Sequence, residues 1–130
     1  MGYGANMNVI NDRSAAIQLF ITDVNCMYDG GQEGSNLSLF NNALVKTGSS
    51  LPESGNQYIE ARNSGGCFGA ESTFTLKVED AGNHAIIGSV VFNENYENYG
   101  VQSNSNKDVI DVNINNSGDQ ARITVTVEAT

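Results

Sequence analysis

The chain has 130 residues and a mass of 13.8 kDa, which fills one domain spanning 1–130, because chains divide only when a single core stops growing. Six Lys and Arg stand against 15 Asp and Glu, a formal charge of −9 that repels nucleic-acid phosphates and disfavours polybasic docking on an anionic leaflet. Charged residues are only 16% of the chain, no apolar run approaches the roughly 20 residues of a spanning helix, and abundant Asn, Ser, Thr and Gly argue against a helical protein.

Taken in chain order, the dominant signal is alternation of period two. Residues 6–10 form a weak strand candidate that ends in the polar turn Asn11-Asp12-Arg13-Ser14. Ile17, Leu19 and Ile21 then face one way, with Gln18, Phe20 and Thr22 opposite. After the breaker Asp29-Gly30-Gly31, residues 37–40 and 58–62 are further weak strands, separated by Ser54-Gly55-Asn56. Beyond Ser64-Gly65-Gly66, Phe74, Leu76 and Val78 alternate with Thr73, Thr75, Lys77 and Glu79. The Asp80-Ala81-Gly82-Asn83 turn leads to 84–92 (HAIIGSVVF), apolar on both faces and expected as a central strand covered on both sides. Ile110, Val112 and Ile114 alternate with Asp111 and Asn113. Past Asn116-Ser117-Gly118-Asp119, Ala121, Ile123, Val125, Val127 and Ala129 give the cleanest strand, one face buried and one wet. About eight short strands divided by Asx and glycine turns predict an all-β, antiparallel β-sandwich.

Cys26 and Cys67 are the only thiols. Small disulfide scaffolds usually carry four or more cysteines, so this pair is expected as free, structural thiols. Two thiols and one His cannot complete a four-ligand zinc site. The acidic and amide-rich loops at 28–35, 80–83, 104–108 and 115–119 offer oxygens to calcium, but none has the spacing of a calcium-binding loop, and turn chemistry explains their Asx content. No metal or cofactor is expected. Residues 1–6 show neither a basic nor an apolar leader region, so the chain is read as cytosolic, exported by another route, or mature. Asn36-Leu37-Ser38 and Asn115-Asn116-Ser117 match the glycosylation acceptor pattern and are read as chance matches.

The stretch 92–100 (FNENYENYG) follows the most apolar strand. Tyr96 and Tyr99, with Tyr28 and Tyr58 elsewhere, offer amphipathic rings suited to a sugar face or a lipid headgroup boundary. Asn95 and Asn98 lie beside them, and Tyr28, Tyr96, Tyr99, Asn95 and Asn98 are the expected ligand-binding residues. Glu94 and Glu97 are three apart, which puts them on opposite faces of a strand and makes a poor acid–base pair. With a single His and no G-x-S-x-G motif, no catalytic constellation forms, and a non-enzymatic binding role is expected.

The layout resembles the aegerolysins, small acidic β-sandwich proteins that recognise membrane lipids. The resemblance rests on Tyr3-Gly4-Ala5-Asn6-Met7-Asn8-Val9-Ile10-Asn11 and 17–24 at the start, and on Met27-Tyr28-Asp29-Gly30-Gly31. It continues through the Gly66-Cys67-Phe68-Gly69-Ala70-Glu71-Ser72-Thr73-Phe74-Thr75-Leu76 segment, 87–92 with the aromatic 93–100, and the terminal alternating strand. Departures are the absence of any Trp and of the family's Asp-Cys-Pro-Trp type segment, in whose place stands Asn95-Tyr96-Glu97-Asn98-Tyr99. The resemblance implies recognition of lipid headgroups, membrane-contacting roles for Tyr28, Tyr96 and Tyr99, and a separate perforin-like protein partner for any pore, as in a two-component cytolysin. The residues alone leave two other binding classes open: a lectin-like module for glycans, with or without calcium, and a homo-oligomer pairing edge strands.

Overall fold

A computed structural model describes residues 3–28, 35–96 and 98–129. Ten strands follow in order: β1 (Gly4–Asn11), β2 (Ile17–Asn25), β3 (Ala43–Val45), β4 (Ser50–Leu51), β5 (Gln57–Glu60), β6 (Ser72–Asp80), β7 (Ile86–Asn95), β8 (Asn98–Asn104), β9 (Ile110–Asn115) and β10 (Ala121–Val127). They form two sheets, consistent with a β-sandwich. One runs β4-β1-β10-β9, with β5 also pairing β1; the other runs β3-β2-β6-β7-β8.

The alternation read from the sequence is what closes the two layers. Ala5, Met7 and Val9 of β1 and Ala121, Ile123, Val125 and Val127 of β10 are buried on one sheet's inner face. Ile17 and Leu19 of β2, Phe74, Leu76 and Val78 of β6, and Val90 and Phe92 of β7 are buried on the other. Phe74 and Phe92 stack with ring centroids 5.0 Å apart, in the range where aromatic pairs add to area burial.

Four local expectations change. The first and last strands pair in parallel, Ala5 with Ala121 through Asn11 with Val127, so the sheets are not wholly antiparallel. The segment 84–92 does not form a strand covered on both sides. β7 is central in its hydrogen-bonded order but buries only Gly88, Val90 and Phe92, while Ile86 is 67% exposed, because a two-layer sandwich covers one face of each sheet. His84 precedes the strand at φ 61, with its Nδ1 3.5 Å from Glu79 Oε1. Residues 37–40 form a 3-10 turn that drops Leu37 and Phe40 into the core, and 98–104, where the sequence predicts no strand, is the edge strand β8.

Polar side chains tie strand to turn. Asn11 is fully buried, and its Nδ2 donates to the carbonyls of Ala15 and Val45 at 2.9 and 3.0 Å. The Asx turns expected from sequence form as hydrogen bonds: Asp80 Oδ1 accepts from the N–H groups of Gly82 and Asn83, and Asn115 Oδ1 accepts from Ser117 N.

Candidate functional site

One end of the sandwich gathers most of the expected ligand-binding residues, and register places them there. Asn25 at the end of β2 pairs with Thr73 near the start of β6, Thr73 pairs with Asn93, and Asn95 pairs with Asn98 across the β7–β8 connection. The same end is tied to the other sheet by Tyr99, whose hydroxyl donates to Tyr3 O at 2.8 Å, an oxygen that also accepts from Ala61 N at 2.9 Å.

Cys26 and Cys67 meet here in a disulfide with Cα atoms 5.6 Å apart, which overturns the expectation of free thiols. Cysteine number carries no information on proximity. The β2 end lies alongside the segment after β5, Met27 bridging Ala61 and Arg62 N donating to Cys26 O, and that alignment brings the sulfurs together. The cross-link anchors the turn that presents Phe68, which is 85% exposed.

The expected site residues separate into three kinds. Tyr96 is 90% exposed, at φ 52, and Asn95 and Asn98 flank it in the open. Tyr28 is half-buried, its N–H bonded to Glu60 O and its hydroxyl 3.5 Å from Ser64 Oγ. Tyr99 is a correction: it is 3% exposed, its ring 6.0 Å from that of Tyr3, and it belongs to the core. In β8 it stands opposite Glu94 of β7 and turns inward against Tyr3, and burial followed by the nearby Glu94 pushes its phenol well above the usual tyrosine range. The segment 29–34 and Glu97 lie outside the described residues, and with them the Asp29-Gly30-Gly31 turn and the Glu94–Glu97 pair.

Phe68 and the 44% exposed Val24 were missed from sequence. The signal was present in Gly65-Gly66-Cys67-Phe68-Gly69: a large ring among glycines has no strand alternation to carry it inward. Tyr58 does not join a rim either. Its hydroxyl donates to the buried Glu60 Oε1 at 2.6 Å, and its ring covers Gly4, where a Cβ would collide with it.

Beside Tyr96 lies an open depression of about 380 Å³ lined by Tyr3, Tyr96, Asn98, Asn116, Gly118 and Asp119. Its floor is fixed: Asn116 Oδ1 accepts from Tyr99 N and its Nδ2 donates to Tyr99 O, both at 3.0 Å, a side chain acting as a short strand against the β8 edge. Among the described residues, no group of three or more His, Cys, Asp or Glu is placed to hold a metal ion. No family model matches the chain, and neither does any curated protein.

Proposed function

We propose that this is a non-enzymatic binding protein that docks on membrane lipid headgroups with the disulfide-anchored end of its sandwich. One observation carries the reading. Phe68 and Tyr96, the two most exposed large hydrophobic side chains described, project from turns at the same end, where the last residues of β2 carry the partly exposed Val24. Phe40, Phe74, Phe92 and Tyr99 are buried in the core, so two rings left in water at one end favour an interface that receives them. A ring transferred from water to the headgroup–acyl boundary contributes roughly 1.5–3 kcal/mol at most, and two together give reversible attachment. The charge of −9 directs the protein to neutral, zwitterionic surfaces.

The aegerolysin resemblance supports the same reading, with Tyr96 and Tyr28 standing where its membrane-contacting aromatics fall. The same resemblance implies that any pore would require a separate perforin-like partner. Vesicle sedimentation tests the proposal across phospholipid, sphingolipid and sterol mixtures. The wild type should pellet with at least one neutral mixture. Phe68→Ala and Tyr96→Ala should each weaken that partition roughly tenfold, the equivalent of about 1.4 kcal/mol. Pelleting with no mixture, or variants that match the wild type, refutes it.

A further inference from the structure

The depression beside Tyr96 has a chemistry of its own. Its lining contains two tyrosines, two asparagines, a glycine and one carboxylate, and no Lys or Arg. An anionic group would meet Asp119 and a net charge of −9 with no cation to receive it. An ammonium ion would find Asp119 and two rings, but in an open depression rather than an enclosing cage, where an exposed ion pair and each cation–π contact are worth only about 0.5–1 kcal/mol apiece. A neutral polyol fits what is there. A pyranose has an apolar face that stacks on a tyrosine ring and a rim of hydroxyls that pair with amide and carboxylate groups.

The volume agrees, since about 380 Å³ sits in the lower part of the roughly 300–1,000 Å³ range of small-ligand sites, room for one or two sugar rings. So does the division between fixed and available groups. Asn116 is held by both backbone groups of Tyr99, Tyr99 by Tyr3 O, and the Tyr3 hydroxyl by Gly118 O at 3.3 Å, so the floor is preorganised. Asn98 and Asp119 are exposed and make no side-chain hydrogen bond among the described residues, which leaves their polar atoms to a ligand. We infer that this depression is a saccharide subsite for a single neutral pyranose, with Tyr96 as stacking wall and Asn98 and Asp119 as hydroxyl partners. The inference rests on the proposed docking end, and it names that end's headgroup class: a neutral sugar, carried on a lipid or free.

The test uses the full chain against vesicles of phosphatidylcholine alone and of phosphatidylcholine with a neutral monohexosyl lipid, and against free methyl glucosides, galactosides and mannosides by titration calorimetry. The hexosyl lipid should raise vesicle binding about tenfold, the worth of one or two good hydrogen bonds. Asn98→Ala and Asp119→Ala should each remove most of that gain, while Phe68→Ala weakens both vesicle types alike. Unchanged melting temperatures of the Asn98 and Asp119 variants exclude a folding defect. Saturable binding of a free glycoside, lost in Asp119→Ala, supports the site with free saccharide as its source, even where no vesicle is bound and the docking proposal falls. Equal binding to both vesicles with no glycoside bound overturns the subsite and leaves membrane docking standing. A hexosyl-dependent gain that survives both substitutions also overturns it.

Discussion

Tyr99 shows how one side chain changes role with one turn of the pleat. Its neighbour across the hairpin tip, Tyr96, is almost wholly in solvent, while Tyr99 holds Tyr3 O from inside the core. Replacing it with phenylalanine keeps the ring and removes the donor, a loss of about 1–2 kcal/mol in chemical denaturation at neutral pH. The raised phenol adds a pH signature. A folded-state pKa above the unfolded value of about 10 means full stability below that pH, and a loss as pH rises and the unfolded chain alone ionises. The wild type should therefore lose about 1.4 kcal/mol per pH unit more steeply than Tyr99→Phe above pH 10. Parallel stability–pH curves for the two proteins would show that the hydroxyl is not buried.

At the scale of elements, the disulfide and the strand edges carry the weight. Cys26 and Cys67 are 41 residues apart in sequence, and closing a loop of that length in the unfolded chain contributes up to about 4 kcal/mol. Cys26→Ser with Cys67→Ser should lower the unfolding free energy by about 2–4 kcal/mol and lower the partition on neutral vesicles, because the turn presenting Phe68 loses its anchor. Denaturation midpoints equal to the wild type's would contradict this. The strands with strict alternation, β6, β9 and β10, were legible because inner and outer faces differ in chemistry residue by residue. Four features were not. Residues 37–40 are too few to separate a 3-10 turn from a strand. β8 hides among Asn, Gly and Ser because an edge strand half in water needs few apolar residues. The parallel β1–β10 pairing and the cysteine contact depend on which strands meet, and alternation specifies the face of a strand rather than its neighbour.

For the whole molecule, the candidate site was legible in part. Exposed Tyr96, Asn95 and Asn98 follow from a polar hairpin tip and exposed Phe68 from its glycine-rich turn, whereas the depression exists only because the segments carrying Tyr3, Tyr96 and Asn116 converge at one end of the sandwich. The charge acts at this scale as well. Adding anionic lipid to a neutral vesicle should weaken binding at low ionic strength, and binding should recover as salt shortens the screening length from about 30 Å at 0.01 M to about 10 Å at 0.1 M. Stronger binding on the anionic surface would point to a basic face that the sequence, with six cations, does not supply.

The chain contains no tryptophan, so a single one reports its own position. Phe68→Trp should emit at shorter wavelength on neutral vesicles and be quenched by lipids brominated along the acyl chain. Leu44→Trp, on β3 toward the far end of the sandwich, should keep its aqueous emission. A tryptophan at 68 that stays water-exposed and unquenched with every vesicle, or one that responds no more than the tryptophan at 44, would contradict docking through this end.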